Sequence, residues 1–339
     1  MWLTKLTLAA ASLRLAAGLA APQAKERARK AFAAFSNAAY CPFNYDAVPG
    51  NDVCDPTSPN CLFLMNANTV FEFSQHALIS GNIALSLELK AIIVTFRGTS
   101  SVWDYLTDVQ SLPVPALDIC NGCQVHSGFW TSFLSIKIDM LNHVHALWKK
   151  YEYPIIVTGH SLGGAVATIA AGYLRKRKYR CHLYTYGSPR VGNKQFATFV
   201  SNQTEGTTAR ITSRFDPVTV VPSTLFGFRH VYPEIWFEKG FSLYPFTVCA
   251  GPESGRCSGQ FASPLFDFKH RLPMHSDYWV TSKPCPHFRG TRPEEVMPKD
   301  VQMKTLKRSM LVDCECDCVP IDDGPSAPLC PCPCIEGLD

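Results

Sequence analysis

The chain has 339 residues, of which 46% are hydrophobic, enough for one large core or two modest ones, and this excludes a disordered protein everywhere except at the two ends. A formal charge of +4 would suggest an acidic partner, but six basic residues against the single acid Glu26 lie within the first 30 positions. The remainder is close to −1, so nucleic-acid binding is not indicated. Fifteen cysteines are too many for an ordinary cytosolic enzyme and read as disulfides of an oxidising compartment.

In chain order, the N-terminus has Lys5, then a Leu/Ala-rich apolar run, then small residues around Gly18–Ala21. This is the layout of a secretory signal peptide over residues 1–21, and a short propeptide over 22–30 ends at the dibasic pair Arg29–Lys30. Arg14 inside the run leaves an organelle-targeting peptide as the alternative. No run approaches the roughly 18 apolar residues of a membrane span. "AIIVTFRGTS" reads as a buried strand, Ala91 to Phe96, entering a loop at Arg97–Thr99. In "SVWDYLTDV", Val102, Tyr105, Leu106 and Val109 fall on one stripe of a short helix, and Ser101 with Asp104 gives its N-terminal capping signal. "CNGC", Cys120 to Cys123, reads as a local disulfide in a surface loop, because no second ligand pair for a zinc site stands beside it. No metal is expected.

The most informative stretch is "IIVTGHSLGGA", Ile155 to Ala165. A β-branched apolar run, a glycine-rich turn and small helix-forming residues describe a strand, a sharp turn and a helix. Gly159, Ser161 and Gly163 make the G-x-S-x-G pattern of a nucleophile elbow. A phosphate-cradling loop is disfavoured, because the P-loop lysine and the G-x-G-x-x-G spacing are both missing.

A serine nucleophile needs a base, an orienting acid and oxyanion donors. After Ser161 the α/β rhythm continues with a strand at His182–Tyr186, a helix to about Asn202 and a strand at about Thr208–Ser213, followed by a loop carrying Asp216. Catalytic groups of such sheets sit just beyond strand ends. Asn202 opens an N-x-T sequon and is a candidate glycosylation acceptor. The chain order Ser–Asp–His leaves His230, His270 and His275 as bases. His230 lies in an alternating, strand-like segment and reads as packed; His275 is preferred and His270 is held in reserve. The N–H of Leu162 and both the N–H and the hydroxyl of Thr99 are the expected oxyanion donors. From Pro286 onward, "CECDC" and "CPCPC" among Pro and Asp mark a tail outside the core.

The pieces "FRGTSS", "CNGCQVHSGF", "VTGHSLGGA", "YTYGSPRVGN", "FDPVTVVP", "FGFRHVYPEIWF" and "HSDYW" together resemble the secreted fungal class 3 triacylglycerol lipases and their feruloyl esterase relatives. The resemblance implies an α/β-hydrolase fold over residues 31–285, with a mostly parallel central sheet, flanking helices and a short helical lid formed by the Val102/Tyr105/Leu106/Val109 segment. It puts Ser161, Asp216 and His275 at the triad positions and Thr99 and Leu162 at the oxyanion positions. It pairs Cys41 with Cys285, Cys54 with Cys61, and Cys120 with Cys123; Cys249 and Cys257 resemble a hairpin bridge of the esterase branch. Cys181 and six tail cysteines remain, and the role of residues 286–339 is unassigned. The expectation is a secreted, cofactor-free serine esterase acting on acylglycerols at a lipid–water interface, touching the lipid surface only peripherally. A feruloyl or other soluble-substrate esterase is the alternative, and a non-catalytic interaction protein on a hydrolase scaffold is a third reading.

Overall fold

The computed structural model describes residues 22–41, 44, 49–54, 64, 66–73, 79–98, 112–238, 246–261, 271–276 and 278. The described residues begin with helix α1, Pro22–Ala38. Strands β1 (Ala67–Glu72), β2 (Gly81–Ser86) and β3 (Ala91–Phe96) follow as an antiparallel meander. Short strands β4 (Pro113–Pro115) and β5 (Gln124–His126) then lead into the long helix α2, Ser127–Tyr151. The chain continues through β6 (Ile155–His160), α3 (Leu162–Lys176), β7 (Cys181–Tyr186), β8 (Gly192–Asn193), α4 (Lys194–Asn202) and β9 (Thr208–Ser213). It ends in β10 (Phe228–Arg229), β11 (Glu234–Phe237) and β12 (Phe246–Cys249).

Among the described residues the main sheet runs β1-β2-β3-β6-β7-β9-β11-β12, and β10-β8-β5-β4 form a second small sheet. The five strands β3, β6, β7, β9 and β11 pair in parallel, as the αβ alternation of the sequence predicts. The β3 and β6 runs are mostly apolar on both faces because helices cover both. On β3, Ile92, Val94 and Phe96 point into the larger core under α2 and α3, while Ala91 and Ile93 point into the core under α1. Helix α2 buries Phe129, Phe133, Ile136, Met140 and Val144, one face at spacings of three and four. Helix α3 is buried along its length, which its glycines and alanines permit by letting it lie close to the sheet.

Helix α1 is continuous across residue 30: Arg29 is buried, its carbonyl accepts a hydrogen bond from the Tyr186 hydroxyl at 2.5 Å, and its guanidinium lies 4.8 Å from the centre of the Phe246 ring. The segment around His230 is not one strand, since Pro233, which has no N–H to give a ladder, separates β10 from β11. His230 is packed there, bonded through Nε2 to the carbonyl of Thr219 at 2.7 Å.

The disulfides Cys120–Cys123 and Cys249–Cys257 are formed, with Cα separations of 5.2 and 6.5 Å. Cys41 and Cys54 are disulfide-bonded as well; their expected partners Cys285 and Cys61 lie outside the described residues. So do Thr99, the lid segment with Val102, Tyr105, Leu106 and Val109, His270, and the tail. Cys181 is a buried free thiol.

Candidate active site

Strand β6 ends at His160, and the chain turns into α3 through Ser161, which has φ 59° and ψ −129°. A positive φ at a non-glycine residue is strained, and it is held here because the flanking backbone is fixed on every side. The Ser161 N–H is bonded to the carbonyl of Tyr186 on the neighbouring strand at 2.9 Å. A side chain at Gly163 would run into the carbonyl of Phe96, so only glycine lets α3 start this close to β3. Leu162 is the first residue of α3, where an N–H has no acceptor within the helix and points at whatever lies beyond its positive end.

Asp216 lies three residues past the end of β9, and its carboxylate is held by an Asx turn in which the Val218 N–H donates to Oδ1 at 2.9 Å. His275 comes from the 3₁₀ turn Leu272–Ser276 and places Nδ1 at 3.0 Å from both carboxylate oxygens. The Tyr278 hydroxyl donates to Oδ2, and burial with the adjacent Asp216 charge drives the Tyr278 phenol well above its ordinary pKa. Ser161, Asp216 and His275 are all almost wholly buried, at 2%, 1% and 2% exposure.

With Nδ1 donating to a carboxylate, the neutral imidazole carries its lone pair on Nε2. That nitrogen is buried and has no hydrogen-bond partner. The structure thus joins Asp216 to His275 directly. The Ser161 N–H is bonded to Tyr186, next to Gly187, which packs against that pair; no Ser161–His275 hydrogen bond is formed, and such bonds often tighten only with substrate in place.

Residues to which sequence reasoning gave no role support this arrangement. Besides Tyr278, Arg190 makes a two-pronged pair with Glu253, Nε to Oε1 and Nη2 to Oε2, each 2.9 Å. It also donates to the carbonyls of Val220 and Pro222, fastening the loop after Asp216 to the Cys249–Cys257 hairpin. Deeper in, Glu234 accepts from Arg210 at 2.7 Å, from Thr212 at 2.5 Å and from the Ser258 N–H at 3.1 Å. The only sequence signal for Arg190 was its place in "GSPRVGN", a strand-end loop.

A serine held at a strained strand-to-helix elbow, with a buried Asp–His pair at neighbouring strand ends of a mostly parallel sheet, defines the α/β-hydrolase class. Residues 93–226 match the family model described as lipase (class 3). The secreted mono- and diacylglycerol lipase 1 of Fusarium solani is 39% identical over 187 residues, 53% of this chain and 56% of that protein. The secreted mono- and diacylglycerol lipase A of Penicillium cyclopium is 34% identical over 212 residues, 60% of this chain and 68% of that protein. The crystal structure of the mono- and diacylglycerol lipase from Aspergillus oryzae superposes with a TM-score of 0.69 at 29% identity, covering 75% of this chain and 96% of that one. The chain belongs to the class 3 lipase family.

Proposed function

We propose that this chain is a secreted serine esterase that hydrolyses acylglycerols at a lipid–water interface. The observation that carries the reading is the buried Asp216–His275 pair, whose Nε2 is left with an open lone pair beside a serine on an elbow. In this reading Ser161 Oγ attacks the ester carbonyl carbon and its proton passes to His275 Nε2. Asp216 fixes the tautomer and stabilises the imidazolium. The N–H groups of Leu162 and Thr99 receive the oxyanion. Collapse expels the glycerol oxygen, which takes the proton from Nε2; a water activated by the same nitrogen then releases the fatty acid and regenerates Ser161. Secretion is supported by the leader-like N-terminus, the disulfides and the relatives' names. Acylglycerols are supported as substrates by the family and by those same names.

A long-chain phosphonate ester should label wild-type protein once, at Ser161, and should leave Ser161→Ala unlabelled. That variant should fold normally and lose on the order of 10⁴ or more in turnover of tri-, di- and monoacylglycerols. Normal turnover by Ser161→Ala would end the serine-esterase reading. Faster turnover of methyl ferulate than of any acylglycerol would transfer the site to the soluble-ester alternative.

A further inference from the structure

We propose that Tyr40 and His160 form a polar strut that positions the base His275 and the oxyanion loop on either side of Ser161. The proposal rests on the serine-esterase reading above. Tyr40 follows α1 and packs edge-on against the His160 ring, with centroids 5.9 Å apart. Its hydroxyl accepts the Gly98 N–H at 3.0 Å and lies 3.0 Å from His160 Nδ1. On the far side of the ring, Nε2 is 2.7 Å from the backbone carbonyl of His275.

Proton accounting gives this chain a single direction. A carbonyl can only accept, so His160 carries its proton on Nε2. Burial, reinforced by the neighbouring His275, pulls the His160 pKa down to about 3, so the ring is neutral and Nδ1 is a bare acceptor. The phenol proton of Tyr40 must therefore point at Nδ1, leaving its oxygen lone pairs to receive Gly98. The result is an unbroken run: Gly98 N–H to Tyr40, Tyr40 O–H to His160, and His160 N–H to His275.

Both ends of that run lie at the reaction centre. Gly98 immediately precedes Thr99, and a side chain on it would come within 3.0 Å of Ser161 Cβ. His275 is the base, and its ring lies over that of His160 with centroids 4.4 Å apart. His160 itself is the residue before the nucleophile. The strut thus sets the separation between Gly98 and the base along a path independent of the Asp216 hydrogen bonds. Neither side chain is required to touch substrate; both are positioning residues.

Tyr40→Phe keeps the ring and deletes only the hydroxyl. It should lower kcat by about 10- to 100-fold, the scale of a sub-ångström to ångström misplacement, leave KM within about twofold, and slow phosphonate labelling of Ser161 by the same factor. His160→Leu should lose at least as much, and His160→Gln, whose amide N–H can still reach the His275 carbonyl, should recover most of it. Tyr40→Phe/His160→Leu should be no worse than the poorer single variant, because both interrupt one chain. Wild-type kcat in Tyr40→Phe, a loss confined to KM, or multiplicative losses in the double variant would overturn the strut. If His160→Leu does not fold, the Tyr40→Phe result alone decides. Failure of the phosphonate to label wild-type Ser161 is a different outcome and would refute the serine-esterase reading beneath the proposal.

Discussion

Gly187 ends the connection from β7 and is the residue against which the Asp–His pair is packed, so Gly187→Ala tests the site without touching any reacting atom. The residue has φ +57°, and a Cβ there would lie 2.8 Å from Asp216 Oδ2, 2.9 Å from the Tyr278 hydroxyl and 3.0 Å from His275 Cε1. The left-handed backbone costs an alanine about 1–2 kcal/mol, which for a domain of this size corresponds to a fall in Tm of about 2–8 °C. The three crowded atoms must also retreat by several tenths of an ångström to reach ordinary van der Waals separation, and they belong to the acid, its hydroxyl donor and the base. A displacement approaching 1 Å costs about 10²-fold in rate, so kcat should fall by roughly one to two orders of magnitude with KM little changed. Gly227→Ala is the matched control: its φ is +85° and a Cβ there would meet nothing within 4 Å. It should lose comparable stability and no activity. The assay is steady-state hydrolysis of a short-chain p-nitrophenyl ester, normalised to phosphonate-titratable sites, beside thermal unfolding of both variants. Equal kcat in Gly187→Ala and Gly227→Ala would refute the claim that the Asp216–His275 geometry limits turnover.

Several described histidines are held neutral where the unfolded chain would protonate them: burial first, then the nearby Arg210 and Arg190, keeps His230 far below its ordinary pKa; burial, then His275, holds His160 at about 3; and burial, then Arg180, holds His182 at about 4. Between pH 6.5 and about 4.5 the unfolded state binds more protons, so unfolding free energy should fall as pH drops, by at most about 1.4 kcal/mol per pH unit for each histidine; denaturant titrations that are flat across this window would refute neutral burial. Glu234 acts at lower pH. Burial pushes its pKa up, but Arg210 and the donors Ser258 and Thr212 outweigh that and hold it down, so its stabilisation is present above about 4.5 and is lost as pH falls further. A chain beginning at Ala31 loses the Tyr186–Arg29 hydrogen bond and the Arg29–Phe246 contact, about 1–3.5 kcal/mol together, but keeps Tyr40. It should melt several degrees lower with kcat preserved, and a loss of kcat without a fall in Tm would contradict this division. For the apolar stripe Val102/Tyr105/Leu106/Val109, Tyr105→Asp with Leu106→Asp should flatten the rise in rate when a short-chain triglyceride forms droplets, while sparing dissolved esters; an unchanged rise would remove the lid role.

What the sequence revealed follows the range of the interactions involved. The elbow is legible because its causes are local: a β-branched run, glycines where backbones must touch, and small residues for a buried helix all lie within Ile155–Ala165. Asp216 is legible from its place in the loop just past a strand end, and the structure adds an Asx turn closed by Val218, two residues on. Tyr278, Tyr40 and Arg190 were not assigned roles because their partners are far away in sequence: Tyr278 meets Asp216 across 62 positions and Tyr40 meets His160 across 120. No periodicity records such a pairing. The dibasic pair Arg29–Lys30 reads from the sequence as the end of a propeptide; in a helix every third or fourth residue shares a face, and Arg29 falls on the face with Phe32 and Ala33 that packs against the sheet. Its guanidinium is accommodated because a long side chain can cross apolar surface and place its charge over an aromatic ring.

The same helix explains why this site requires more than three residues at strand ends. A parallel sheet positions Ser161, the loop to Asp216 and Gly187 well, because β6, β7 and β9 are hydrogen-bonded neighbours in fixed register. His275 has no such support; it sits on a short 3₁₀ turn beyond the sheet, where backbone order must come from side chains. Its imidazole is fixed by Asp216 and its peptide by His160, two restraints approaching from different directions. His160 can serve only if its Nδ1 is filled, and the group that fills it arrives at the end of α1, which Ser36 pins to Thr158 on β6 at 2.8 Å. The order of His275 therefore depends on α1, through Tyr40 and His160, whose two hydrogen bonds toward His275 each have one permitted direction.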